Sequence, residues 1–400
     1  MNPSRSICFW QRVASVDAYR GAVILLMMTD VLALADVDRA FPGHSILRFL
    51  GCQQTHVEWA GLSLWDLIQP SFSFLVGVAL PFSLLRRQEL GQPQTSQAVH
   101  AIRRALLLVF LGLVLRYIDS LGSPTNLDQA ITRLTFEDTL TQIGLGYFFL
   151  YLLALRSRHA QWIALGVILT GYWLAFAMYP LPGPDFDWHK AGVPQDWAFN
   201  LKGFAAHWNK NVNLAWGFDV WFLNLFPHMR TFTGNAEGYA TLNFIPTLGT
   251  MILGLLAGGI LKDHHAQQHR LCWLFISGVS CIAVGSCLHF LGIVPIVKRI
   301  WTPSWVLFSG GWCLLILMMF DLIIEFWGKQ AWAMFLIIPG MNSIIGYVMA
   351  YITQQLDRLF SIGDQAPEVM YIRLMFGTAI ILAEWIALWW LYRRKIFVRI

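Results

Sequence analysis

A histidine, a carboxylate and a tryptophan open the stretch from Gln53 to Leu85: His56, Glu58 and Trp59. Imidazole has an unperturbed pKa of about 6.5, so near neutrality it can take a proton from an acceptor or attack a carbonyl itself. From about Trp65 the chain turns apolar, and Asp66, Gln69, Ser73 and Gly77 recur at three- and four-residue steps. That spacing puts them on one helical face, opposite Leu, Phe and Val. A thin polar stripe on an otherwise greasy helix borders a protein-lined cavity inside a membrane. His56 is expected at the mouth of that cavity, with Glu58 or Asp30 orienting its ring and stabilising the imidazolium.

Other polar groups sit inside apolar runs. Asp30 falls late in the first of them, where a carboxylate at depth costs roughly 2.5–3.5 kcal/mol and needs an interior partner. A protonated or snorkelling carboxyl at the interface is the alternative. Gln142, Asn243, and Asn342 with Ser343 lie on polar or small-residue stripes of three further runs, and together they suggest a polar chamber crossing much of the bilayer. Gly254 and Gly258 read as close helix packing. Arg20 beside Asp17 is either a local ion pair or a contact for an anionic ligand. His264, His265 and His269 have no carboxylate at a ligand-like spacing and read as a solvated turn. The six cysteines, Cys8 and Cys52 among them, show no pairing, so neither a disulfide framework nor a metal site is expected.

The class follows from composition. The 400 residues are 56% hydrophobic and 13% charged, with mean hydropathy +0.54, whereas soluble domains carry about 25% charged residues. This is the profile of an all-α, polytopic helical membrane protein in one transmembrane domain over 1–400. The net charge of +5 is topology bias and not a nucleic-acid footprint. The start is polar up to Asp17 and the first apolar run is long enough to span, so no cleavable signal peptide is expected. Apolar windows fall near 17–36, 64–86, 102–118, 137–155, 160–180, 241–261, 271–291, 304–326, 331–353 and 371–392, which makes about ten transmembrane helices. Arginine and lysine gather in alternate connections, acids in the others, so both termini are expected in the cytoplasm. The connection 181–240 is long, external and rich in tryptophan. Its indoles suit either sugar binding or an interfacial belt, and both stay open.

Several motifs carry a family resemblance. SVDAYRG (Ser15 to Gly21), HVEWAGLSLWDL from His56, AEGYATLNFIPTLGTMILGLLAG (Ala236 to Gly258), WTPSWVLFSGG, PGMNSIIGYV and the terminal LYRRKIFVRI occur in one order. This set resembles the transmembrane acyltransferases related to heparan-α-glucosaminide N-acetyltransferase, including the bacterial DUF5009 branch. The resemblance implies acetyl transfer from cytoplasmic acetyl-CoA to an amino sugar or glycan on the far side of the membrane. It places His56 on the active-site histidine, with Trp59 and Gly61 in register and Asp219 in a motif of the external loop. Where the family has an asparagine at the end of the first span, this chain has Asp30.

On that reading acetyl-CoA is a co-substrate and no cofactor is permanently bound. His56 is base or acyl carrier, helped by Glu58 or Asp30. Arg20, Asp66, Gln142, Asp219, Asn243, Asn342 and Ser343 serve substrate or CoA, with Arg103 and Arg104 as further phosphate partners. Partners are the lipid bilayer, acetyl-CoA and the glycan, without nucleic acid and with a homodimer left open; the location is a bacterial inner membrane. The rival readings are a transporter with a polar chamber and an O-acyltransferase of a lipid-linked glycan. A reporter fused after Ile400 is expected to signal from the cytoplasm and one inserted near Lys202 from outside; a cytoplasmic signal near Lys202 would overturn the map.

Overall fold

A computed structural model describes residues 13–41, 43–121, 135–226, 231–263, 266–360 and 367–398. Cys8, His264 and His265 lie outside them. The described residues are helical, with no strand. Helix α1 (Ala14–Met28) ends in a 3-10 turn, Thr29–Leu32, and two short helices follow, α2 (Leu34–Ala40) and α3 (Ser45–Gln54). The turn Trp65–Leu67 runs into α4 (Ile68–Glu89); then come α5 (Gln94–Leu121), α6 (Thr139–Ala154) and α7 (Arg158–Ala177). The long connection holds α8 (Trp188–Ala191), a 3-10 turn Gly203–Trp208 and α9 (Leu214–Leu223). Next are α10 (Phe244–Lys262), entered through Thr241–Asn243, α11 (Gln267–Phe290), and α12 (Pro303–Phe320) with a π turn at Asp321–Phe326. The chain closes with α13 (Met334–Met341), α14 (Ser343–Phe360) and α15 (Pro367–Arg393).

Every apolar window falls on a helix. Among the described residues, 7 helical segments suffice by length and composition to cross a membrane: Trp65–Glu89, Gln94–Ile118, Arg158–Ala177, Thr241–Lys262, Gln267–Phe290, Pro303–Phe326 and Val369–Arg393. The windows at 17–36 and 137–155 fall on helices of 15 and 16 residues. At 1.5 Å per residue these reach about 22–24 Å, short of a hydrocarbon core of about 30 Å. The window at 331–353 needs correction. It is not one rod, because α13 and α14 meet at 86° around Asn342; counted as one span, the pair raises the total to 8. Asn342 is therefore not part of a continuous stripe with Gly346 and Ala350. Its buried amide donates to Ile396 O (3.0 Å) and accepts from Val398 N (3.2 Å), which staples the C-terminal tail to the break.

The helix α10 is the axis of the bundle: its apolar window is 83% buried, against 17% for α11 and α15. Lipid tails are as apolar as leucine, so close backbone approach, not burial from water, must hold such helices. Glycines permit it. A Cβ on Gly77 would lie 2.0 Å from Met251 O, and one on Gly254 2.0 Å from Phe74 O, so α4 and α10 touch backbone to backbone. The same device joins α1 to α13, where a Cβ on Gly21 would meet Leu336 O at 1.7 Å and one on Gly340 would meet Asp17 O at 1.9 Å. Gly77 thus belongs to packing and not to the polar stripe. Gly254→Leu is expected to lower the thermal stability of the detergent-solubilised protein by about 1–3 kcal/mol or more. Gly171→Ala, with nothing within 4 Å of its Cβ, serves as the tolerated control.

Candidate active site

Two loops make the site, and main-chain pairing aligns them. Gly61 N donates to Ile296 O (3.0 Å), and Ala60 pairs with Val297 as an isolated antiparallel bridge. Gly61 has φ +136°, a conformation glycine alone adopts at little cost. The second loop is braced from within. Thr302 Oγ1 donates to Pro295 O (2.7 Å) and accepts from Val297 N (3.1 Å), and Ser304 Oγ donates to Pro295 O (2.6 Å). Asn243 Nδ2 donates to Arg299 O (2.8 Å) from the start of α10. Trp59 anchors the first loop: it is fully buried, and its Nε1 donates to Trp208 O (3.0 Å).

This pairing carries Lys298 to His56 and Asp66. Asp66 Oδ1 takes His56 Nδ1 at 2.7 Å and Lys298 Nζ at 3.2 Å. Its other oxygen accepts from Ser63 N (3.1 Å), Ser63 Oγ (3.0 Å) and Val57 N (3.4 Å). Asp66 and Lys298 are almost wholly buried, whereas the His56 side chain is 34% exposed. A carboxylate only accepts, so the short contact assigns the Nδ1 proton to the bond with Asp66. The unprotonated nitrogen is then Nε2, the nucleophilic or basic atom. Burial, and next the Lys298 charge, push the His56 pKa below its usual value against the pull of Asp66. These surroundings favour the neutral ring over imidazolium.

The ring borders a cavity of about 610 Å³, within the range of small-molecule sites. Its wall carries the carboxylates Asp30, Glu137, Asp138 and Glu237, the amides Gln54, Gln69, Asn235 and Gln354, and the rings Trp65, Tyr239, Tyr347 and Tyr351. Glu137 is paired with Arg116 and accepts from Asn235 Nδ2 (2.8 Å). Polar groups converging beside flat rings suit a polyhydroxylated ligand. The tryptophans of the 181–240 connection are elsewhere. Trp208 is buried and stacks on Phe176, Trp216 Nε1 donates to Thr233 O (2.8 Å), and Trp197 sets its edge on Trp59. Trp208, Trp216 and Trp197 pack within the connection and against its neighbours, Trp221 is exposed, and residues 235–237 and Tyr239 supply the connection's share of the cavity wall.

The structure distributes the expected residues unevenly. His56, Asp30, Gln69 and Asp66 come together at or beside the cavity. Glu58 is exposed and points its charge toward Lys210, so Asp66 is the carboxylate that orients the ring. Gln142 is fully buried and donates to Phe136 O (2.6 Å) and Thr241 O (3.2 Å), tying α6 to the start of α10. Asn243 holds the Lys298 loop, Asn342 holds the tail, and Ser343 merely begins α14. Arg20 bonds Asp17 Oδ1 at 2.8 Å, the local ion pair. Arg103 is exposed, and Arg104 stacks on Tyr147. The amides therefore do not form one chamber through the bilayer. Lys298 and Arg299 escaped sequence reasoning, although one signal was there: two cations stand in a connection on the acid-rich side.

The fold defines an all-helical integral membrane protein with a histidine–carboxylate pair at the mouth of a polar cavity. The chain is similar in sequence to heparan-alpha-glucosaminide N-acetyltransferases. It is 23% identical over 370 residues to human heparan-alpha-glucosaminide N-acetyltransferase, covering 84% of this chain and 52% of that protein. It is 22% identical over 424 residues to the enzyme of that name from Mus musculus, covering 97% of this chain and 60% of the mouse protein. The chain thus spans little more than half the length of these curated relatives. No protein-family model matches it, and the DUF5009 assignment gains no support there.

Asp219 accepts from Thr241 N (2.9 Å) and is outside the cavity, at the base of the 181–240 connection. Burial raises its pKa to about 6. Because the folded value exceeds that of the unfolded chain, the proton stabilises the fold fully below about pH 4 and this stability is lost as pH rises through about 6. Asp219→Asn is accordingly expected to raise the melting temperature at pH 8, with the advantage gone by pH 4, in parallel thermal scans.

Proposed function

We propose that the protein is a transmembrane acetyltransferase that moves an acetyl group from cytoplasmic acetyl-CoA to an amino sugar or glycan on the external side. The observation that carries this reading is the His56 Nδ1–Asp66 contact of 2.7 Å beside the cavity. As a base, Nε2 takes the acceptor's proton while its nitrogen or oxygen attacks the thioester carbonyl. The tetrahedral intermediate then expels the CoA thiolate, which receives that proton. As a carrier, Nε2 attacks the thioester and expels the CoA thiolate; the acceptor then takes the acetyl group from the ring, its proton passing to the released Nε2 and on to the thiolate. Asp66 offsets the transient imidazolium in both cases. The two curated relatives, named as N-acetyltransferases, support the acetyl chemistry and the amino-sugar acceptor. Acetyl-CoA is a co-substrate on this reading, with Arg20 and Arg104 as the nearest cytoplasmic-end cations, and O-acylation of a lipid-linked glycan stays within it.

The arrangement proposed in the membrane is ten spans, counting α1, α6 and the bent pair, with both termini cytoplasmic and 181–240 external. The charge asymmetry of the connections supports it, and the location proposed with it is a bacterial inner membrane. A homodimer is compatible with this map. One feature favours a second reading as a transporter: the break between α13 and α14, since transporters place binding sites at interrupted helices.

Purified protein with labelled acetyl-CoA and a panel of amino sugars separates the two. His56→Ala is expected to fold and to lose transfer by at least about a hundredfold. Asp66→Asn should lose more than Glu58→Gln, because Glu58 does not touch the ring. A carrier mechanism yields labelled wild-type protein without acceptor and none in His56→Ala; a direct base yields no labelled protein. Solute uptake in proteoliposomes, with no transfer by folded wild type, would establish the transporter instead.

A further inference from the structure

Lys298 is the least expected group at the site. A buried ammonium is expensive unless paired, and pairing with Asp66 alone would be served by any geometry that brought the two charges together. Here Lys298 Nζ is 3.2 Å from Asp66 Oδ1 and also 3.2 Å from His56 Nδ1, so it sits against the very edge of the ring that Asp66 holds. A histidine–aspartate pair without such a cation stabilises imidazolium, because the carboxylate charge faces the ring unopposed. In this site that charge is shared. The ammonium stands beside the protonated nitrogen, in contact with both Nδ1 and the Asp66 carboxylate. Its effect passes through His56 and Asp66.

We propose that Lys298 is a positioning residue of the acyl-transfer reaction, which fixes Asp66 on His56 and keeps the ring an uncharged base with Nε2 open to the cavity. This rests on the acetyltransferase reading. Asp66 favours imidazolium; Lys298 and then Arg299 disfavour it. The Arg299 charge is partly met by Glu237, whose carboxylate is 3.4 Å from Nη1. Across the cavity Asp30, Glu137, Asp138 and Glu237 oppose Arg116, and Glu137 is already paired with it. The cation at 3.2 Å is the closest of the positive groups for which a contact to the ring is seen, and the fold invests a braced loop in holding it there. Asn243, Thr302 and the Gly61–Ile296 bond all act on that loop.

The role has a functional sense. Acetyl transfer needs the histidine unprotonated at the start of each cycle and needs it to release a proton or an acyl group at the end. A neighbouring cation favours both, since it makes the charged ring short-lived. The acid limb of activity is thereby displaced downward.

The test reads the ring directly and then the rate. Diethyl pyrocarbonate carbethoxylates the unprotonated ring, so the pH dependence of His56 modification, followed by peptide mass spectrometry on full-length protein in detergent, reports its protonation without any acyl transfer. In wild type the midpoint is expected below pH 6.5; a midpoint at or above 6.5 overturns the proposal and needs no variant. Lys298→Met is expected to move the midpoint, and the acid limb of kcat/KM, upward by about one pH unit or more. Lys298→Arg, which keeps the charge, should leave both near the wild-type position while Lys298→Met loses rate. A folded Lys298→Met with an unmoved or lowered midpoint overturns the proposal. If wild type transfers no acetyl group, the function fails on that assay alone, and the modification midpoints still decide whether Lys298 governs the ring.

Discussion

The structure depends on one buried carboxylate. Asp66 sits at the head of α4 and is almost completely shielded from solvent, with His56, Ser63, the Val57 amide and Lys298 all directed at its two oxygens. An ion in that setting tolerates no missing donor, because several kcal/mol of hydration have been given up for each charge. Every donor therefore has to be delivered by a rigid element. Ser63 and Val57 come from the loop that leads into α4, and Lys298 comes from the connection between α11 and α12, more than two hundred residues further on. Holding Asp66 charged forces those two loops into register. That register is what turns His56 toward the cavity.

The bundle supplies the fixed frame for this. Glycines on α4 and α10 bring their backbones into contact, so the N-terminal ends of the two helices are held a short distance apart. One end carries Asp66 and the other carries Asn243, whose amide grips the Arg299 carbonyl. Packing deep in the apolar core thus sets a distance at its polar rim. The long 181–240 connection contributes in the same sense. Its tryptophans pack on α7 and on Trp59, Asp219 ties it to the entry of α10, and only its last segment, with Asn235, Glu237 and Tyr239, reaches the cavity wall.

Much of this was legible in the sequence, for a physical reason. A membrane span must be apolar over its length and must satisfy its backbone internally, so hydropathy alone located helices at all ten windows. The cost of polar groups at depth likewise singled out Asp30, Asp66 and Gln69, and a histidine on a loop beside them was the natural chemical centre. Gly254 and Gly258 announced a close helix contact on α10, although not that α4 makes it. These are local properties, written in a few consecutive turns.

What only the tertiary structure decided is which polar group meets which. Glu58 is two residues from His56 and Asp66 ten, yet the nearer acid turns to solvent and the farther one holds the ring. Lys298 lies in an apolar run with no motif of its own, and its meaning comes entirely from a loop pairing across 242 positions. Gln142, Asn243 and Asn342 looked like chamber residues because an amide inside an apolar run has the same sequence signature whether it faces a cavity or a backbone carbonyl. Hydrogen-bond partners far apart in the chain cannot be inferred from periodicity, and the break at Asn342 depends on a tail that folds back to meet it. The sequence by itself determined the helices and the candidate base; long-range pairing of charges and amides determined the site.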